Sequence, residues 1–293
     1  MLPRGGVCGI STPMSAFQKR RGWKAACLAL LGLVVVTSPQ TANAADEAAS
    51  SWTASPEARA RLVAGVSATG VQTTAPFGLE FVLKDGWKTY WRAPGPQGYP
   101  PRLEWTGAEH VAAAEIVWPT PERFTILGYD SIGYKDAALL PLNVTFKDPS
   151  KPAALRLKVD YLTCAEICIP QFADLKLDLP SGAPTPTEHA FAIDRARGQA
   201  PAPAGVVGRI ERVWLEGPDD QPSLVAEAAI SGDLAGLDVF VDGLDGYFFR
   251  APVVEPLGEG RVRLRAVAVE APPEPAAIGQ TAAYTIRHGD QAF

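Results

Sequence analysis

Between residues 61 and 179 the chain breaks into short apolar and alternating stretches, separated by Gly, Pro and Asp turns. They span 61–68, 77–84, 111–118, 138–146, 155–162 and 172–179. The clearest alternation is Leu155-Arg156-Leu157-Lys158-Val159-Asp160-Tyr161, followed by Leu175-Lys176-Leu177-Asp178-Leu179. A period of two puts alternate side chains on opposite faces of a strand, so each stretch buries one face and wets the other. Strands of this length between turn residues predict an antiparallel β-sandwich over residues 45–180.

After Pro180 the pattern stops. Residues 181–204 combine two Pro-rich flanks with a helical stretch at 188–197, which reads as a linker with a short helix. Strand-like stretches resume at 213–215, 224–230, 237–241, 247–250, 262–269 and 282–286, predicting a second, smaller β-sandwich over 205–293. The expected fold class is all-β.

The N-terminus follows a different logic. Arg4, Lys19, Arg20, Arg21 and Lys24 precede an apolar run at 25–36, and Ala42-Asn43-Ala44 follows it. A basic region, an apolar region and an A-x-A site make a secretory signal peptide over residues 1–44. The apolar run is shorter than the roughly 20 residues a membrane-spanning helix needs, and no later stretch is longer, so the mature chain carries no transmembrane segment. Arg20-Arg21 leaves export through the Sec or the twin-arginine route open, and Met14 is an alternative start.

Cleavage removes five positive charges and takes the formal net charge from -5 to -10. An acidic surface argues against nucleic acid and against anionic membrane as partners. Cleavage also removes Cys8 and Cys27, leaving Cys164 and Cys168 as the whole thiol content of a protein bound for an oxidising compartment.

Cys164-Ala165-Glu166-Ile167-Cys168 can be bridged only if the two Cα atoms approach within about 7 Å, whereas extended chain would hold them at roughly 13 Å. The segment must therefore turn, as a tight turn or a single helical turn, because Pro170 stops a longer helix. Closing so small a loop stabilises the fold by only ~2 kcal/mol, against ~4.7 kcal/mol for a loop of about 100 residues. As a staple the bond is poor, and in an exposed turn it is open to an attacking thiolate. Three readings stay open on spacing alone: a redox pair, a binding or assembly module with a structural turn disulfide, and a copper-handling site that uses the two thiolates. The last lacks an obvious third ligand, since His110, His189 and His288 are scattered and Met1 and Met14 are lost on cleavage. No cofactor or metal is expected.

Asp160 and Glu166 place negative charge near the cysteines, which raises a thiol pKa and points to a relay rather than a strong oxidant. Tyr161 is a further possible modulator. Trp87, Tyr90, Trp91, Tyr99 and Trp105 crowd one segment and read as packing before they read as a binding platform. Tyr129 and Tyr134 could bring a hydroxyl near the cysteines. Hydrolase arrangements find no candidate residues.

Several stretches in fixed order resemble one family: 86–95 (GWKTYWRAPG), 99–105 (YPPRLEW), 118–124 (WPTPERF), 128–134 (GYDSIGY) and 160–170 (DYLTCAEICIP). Together they are similar to the N-terminal periplasmic domain of the DsbD and ScsB thiol:disulfide interchange proteins. The resemblance implies an immunoglobulin-like sandwich in the periplasm and protein-disulfide reductase activity, with Cys168 bonding to partners and Cys164 resolving the mixed disulfide. It also implies a cap over the pair, which by position falls on 124–128, with Phe124, Ile126 and Tyr129 as its residues. The chain to Phe293 shows neither the membrane domain nor the C-X-X-C domain of long family members, so the expectation is a stand-alone form. Its donor would be a CcdA-like membrane transporter or a thioredoxin-like carrier. Its acceptors would be periplasmic thiol proteins: a disulfide isomerase, a ScsC-like protein of copper tolerance or a factor of cytochrome c biogenesis.

Overall fold

Alternation turns into strands almost wherever the sequence shows it. The computed structural model describes residues 48–203, 205–230, 234–272 and 280–293. The signal peptide and cleavage site expected over 1–44 lie outside the described residues.

The first region contributes β1 (Thr53–Ala54), β2 (Ala58–Ala64), β3 (Thr74–Leu83), β4 (Lys88–Tyr90), β5 (Arg102–Glu104), β6 (Val111–Ile116), β7 (Glu122–Ile126), β8 (Tyr129–Lys135), β9 (Ala137–Phe146), β10 (Ala153–Cys164) and β11 (Cys168–Leu179). Helix α1 (Ala190–Arg197) follows. The second region contributes β12 (Gly208–Glu216), β13 (Ser223–Ile230), β14 (Asp238–Asp242), β15 (Phe248–Phe249), β16 (Val253–Gly258), β17 (Arg261–Glu270), β18 (Ala283–His288) and β19 (Gln291–Ala292).

Two sheets face each other in the first region, ordered β1-β2-β3-β9-β6 and β11-β10-β4-β8-β7, with β5 on β10. Every pairing among them is antiparallel. The alternating residues fill the space between as expected: Leu62, Phe77, Leu79, Phe81, Leu140, Leu142, Leu155, Leu157 and Leu175 are fully buried in one core. Each such side chain contributes about 1.5–3 kcal/mol by leaving water. The second region repeats the scheme on a smaller scale, with β12-β13-β17-β15 and β16 on one side and β14-β18-β19 on the other. Leu224, Ala228, Val262, Leu264 and Ile286 centre its core. The chain is thus all-β, two sandwiches in series.

The stretch between them is more tightly held than its Pro content suggests. Ile193 and Ala196 of α1 are buried, and Ile193 lies against Gly65 and Gly78 of the first sandwich, where a methyl group in place of either glycine hydrogen would crowd it. Thr187 Oγ1 donates to the Ala64 carbonyl at 2.6 Å and Ser67 meets Thr185 at 2.8 Å. Phe240, from the second region, packs in the first core with its ring 5.9 Å from Trp91. Among the described residues no helix is long and apolar enough to cross a membrane.

Candidate functional site

The two long strands β10 and β11 pair without a break from Ala153↔Leu179 to Cys164↔Cys168. The cysteines are therefore the last pair of a hairpin, and Ala165, Glu166 and Ile167 form its loop. The turn between the strands is this tight three-residue loop, in which the Ala165 amide donates to the Ile167 carbonyl at 3.0 Å, and not a helical turn. Facing residues of an antiparallel ladder already lie near bonding distance, here with a Cα–Cα separation of 4.1 Å, and Cys164 and Cys168 are disulfide-bonded. Pro170, which cannot donate to a ladder, is tolerated because β11 is an edge strand.

Strand periodicity decides which residues can meet the sulfurs. Cys164 stands opposite Lys88 of β4, Lys88 opposite Lys135 of β8, and Tyr90 opposite Gly133. With a period of two, Leu162, Cys164, Lys88, Tyr90, Phe124 and Ile126 share the sheet face turned away from the core. Tyr90, Phe124, Ile126, Leu162 and Cys164 form a separate buried cluster there, with Tyr99 and Cys168 partly buried against it. The ring of Phe124 sits 6.4 Å from that of Tyr90, with the ammonium groups of Lys88 and Lys135 6.0 and 5.7 Å from it.

Tyr90 supplies the polar contact. Its side chain is 0% exposed, and its hydroxyl donates to Cys164 Sγ at 3.0 Å, with Cys168 Sγ at 3.9 Å and the Gln97 carbonyl as a competing acceptor at 3.3 Å. Burial pushes the Tyr90 phenol up to about 12, against the opposing effect of the neighbouring Ser131 hydroxyl, so it remains a donor throughout the physiological range. Two glycines make its pocket possible. A Cβ at Gly98 would stand 2.4 Å from the Tyr90 ring, and one at Gly133 would stand 2.0 Å from the Thr89 carbonyl.

The sulfurs differ in access: Cys164 is 0% exposed, whereas Cys168 is half-buried beside Ile167, which is 60% exposed. Glu166 is exposed in the hairpin loop. Asp160 shares the face of Cys164 but accepts a hydrogen bond from Tyr99 at 2.8 Å and lies 3.9 Å from Arg102. Burial first, then Asp160, pushes the Tyr99 phenol up to about 12. Tyr161 falls on the opposite face, buried in the core with its ring 4.8 Å from Phe81, so it does not reach the sulfurs.

The segment 124–128 is not a loop but the end of the β7–β8 hairpin. Ile126 pairs with Tyr129, leaving Leu127 and Gly128 as a two-residue turn with φ of 52° and 85°. Two positive φ values in succession mark the turn geometry that matches strand twist. Phe124 and Ile126 are inside the sulfur cluster, while Leu127 and Tyr129, 57% and 42% exposed, stand out at the tip. Tyr134 donates to the Pro119 carbonyl at 2.8 Å in the core and Tyr129 lies outside the cluster, so the nearby hydroxyl comes from Tyr90 instead. Its position two residues after Lys88, on a strand only three residues long, was too short a pattern to reveal that.

A buried sulfur and an accessible one, facing each other at a hairpin end under an aromatic cluster, define a β-sandwich disulfide domain with one side open to chemistry. Residues 59–180 match the model of the family described as thiol:disulfide interchange protein DsbD, N-terminal. Among solved structures, the N-terminal periplasmic domain of ScsB from Proteus mirabilis superposes with a TM-score of 0.63 at 23% identity, covering 84% of this chain and 96% of that one. That likeness extends the shared fold across both sandwiches. A marsupial T cell receptor aligns at 10% identity over 82% of this chain and 96% of that one, with a TM-score of 0.19, too low to carry an argument. No curated protein matches the chain.

Proposed function

We propose that the protein is a periplasmic electron relay that reduces disulfides of envelope proteins through Cys164 and Cys168. The observation that carries this reading is the unequal access of two bonded sulfurs, Cys168 partly buried and Cys164 fully buried under Tyr90. An incoming sulfur can approach the first and not the second. In the dithiol form, the Cys168 thiolate attacks a partner disulfide, a mixed disulfide forms, and the partner's other sulfur leaves as a thiolate. Cys164, deprotonated, then attacks Cys168 Sγ; the mixed bond breaks and the partner departs with both its sulfurs reduced. Two electrons and, on balance, two protons pass to the partner, and the Cys164–Cys168 bond remains. A donor dithiol, from a CcdA-like membrane transporter or a thioredoxin-like carrier, reverses these steps to reload it.

Tyr90 assists the resolving step. A hydroxyl donating to Cys164 favours its thiolate, which burial alone would disfavour. Phe124 and Ile126 act as the cap, keeping water and stray thiols from the buried sulfur. The direct test is to isolate the Cys164→Ser protein from its own cells under acid quench. Mixed disulfides joined through Cys168 to envelope thiol proteins are the expected result. Recovery of monomer alone, with every envelope protein in its usual redox state, would refute the relay.

A further inference from the structure

We infer that Arg123 is a positioning residue through which the second sandwich braces the cap hairpin over Cys164. The inference rests on the cap role proposed above for Phe124 and Ile126.

β7, which carries both cap residues, is the outermost strand of its sheet and, among the described residues, has β8 as its one ladder neighbour. Such a strand is held on one side only and is prone to local opening. Alternation sends Phe124 and Ile126 to the sulfur face and Arg123 to the other, where the second sandwich meets it. There the guanidinium forks onto Asp238, with Nε to Oδ2 and Nη2 to Oδ1 both at 2.9 Å. Nη1 donates to the Phe249 carbonyl at 2.9 Å and Nη2 to the Val239 carbonyl at 3.1 Å. The group also lies 5.6 Å from the centre of the Phe240 ring. Arg123 and Asp238 are 10% and 14% exposed at their side chains, so water competes little for the pair. A planar fork with two further carbonyl acceptors fixes orientation in a way a point charge cannot.

β8 is tied to the same neighbour, since Asp130 accepts from the Ala251 amide at 3.2 Å and lies 3.7 Å from Arg123. Both strands of the cap hairpin are therefore tied to the second sandwich, β7 at Arg123 and β8 at Asp130, which faces Thr125 one rung from the turn, while the tip at Leu127 and Tyr129 is exposed. A cavity of about 200 Å³ lined by Arg123, Asp130, Val239 and Asp242 lies beside these ties. With Arg123 and Asp130 both held, the cap opens by bending at its tip, where Ile126 faces Tyr129, and not by swinging the whole hairpin.

The test uses the full-length oxidised protein and the rate at which dithiothreitol reduces the Cys164–Cys168 bond. Arg123→Gln and, separately, Asp238→Asn should each speed reduction about five- to tenfold, the low end of coupling between distinct parts of one protein. The double variant should be no faster than either. Arg92→Gln is the discriminating control, because Arg92 pairs with Asp242 at 2.9 Å across the same seam but sits outside the cap hairpin. It should stay near the parent rate. If Arg123→Gln does not fold, Arg123→Lys, which keeps the charge and loses the fork, should fall between. Parent-like rates in whichever of these Arg123 and Asp238 variants fold, or equal acceleration by Arg92→Gln, would overturn the brace. Because dithiothreitol needs no protein partner, this outcome is separate from the relay: absence of exchange with protein dithiols would remove the relay and leave the brace standing.

Discussion

The two sandwiches follow one construction rule and put it to different uses. Both stack antiparallel sheets whose alternate residues close on an aliphatic core, Leu155 and Leu157 in the first, Leu224 and Leu264 in the second. The first extends one hairpin until its terminal pair is Cys164 and Cys168, and lays Tyr90, Phe124 and Ile126 around the sulfurs on the face its core does not need. The second carries no cysteine, and its described strands meet the first through Asp238, Phe240 and the Phe249 carbonyl. Architecture is common to both while chemistry belongs to a site grafted on one of them. The difference also shows where such a site can arise: a strand end on a solvent-facing sheet face offers geometry without disturbing the core.

If chemistry is confined to the first sandwich, Cys168→Ser should abolish transfer entirely, as read by the redox state of envelope thiol proteins. Leu264→Ala, deep in the second core, should cost about 2–5 kcal/mol of stability. Below its lowered melting temperature it should leave exchange with a protein dithiol operating, which a thermal melt paired with an exchange assay would show.

Alkali should separate the two regions. Burial raises the phenols of Tyr90, Tyr99 and Tyr161 to about 12 and that of Tyr134 well above its ordinary value, all in the first sandwich. In the second, Tyr284 is raised, again by burial. A group whose folded pKa exceeds its unfolded value stabilises fully below the unfolded value and loses that contribution as pH climbs through the folded one. The window therefore runs from about pH 10, the ordinary phenol value, to about 12, and the first sandwich should lose structure there before the second. Amide signals of each core followed through an alkaline titration report the order.

Tyr90→Phe keeps the ring and deletes the donor. A hydrogen bond to a charged group contributes about 1.5–3 kcal/mol, so the Cys164 pKa in the dithiol form should rise by about one to two, given 1.36 kcal/mol per pKa unit. Thiolate ultraviolet absorbance against pH measures it. Glu166→Gln is the smallest change expected: an exposed loop residue, within about 0.5 kcal/mol of the parent in stability, with a slight fall in the Cys168 pKa as a negative charge is removed.

Strict alternation made β10 and β11 legible from the sequence, and the cysteine spacing between them located the site. What alternation could not supply was pairing. Lys88 meets Cys164, and Tyr90 meets both sulfurs, across more than seventy residues of chain. The β7–β8 hairpin escaped notice because its turn is Leu127-Gly128, and a leucine at positive φ lacks the Asn-Gly or Asp-Gly signature that announces such turns. Arg123 lay inside the stretch 118–124 without being singled out, since its partner Asp238 is set by tertiary folding 115 residues away. Tyr161 was placed beside the cysteines by sequence proximity, and the period of two sends it to the core instead.

The most direct measurement is the redox state of Cys164 and Cys168 after the oxidised, natively folded protein is mixed with a reduced thioredoxin-like dithiol, read by thiol alkylation and intact mass. Opening of the bond, through a mixed disulfide carried on Cys168, is the expected result. Persistence of the closed bond while the donor remains reduced would contradict the account.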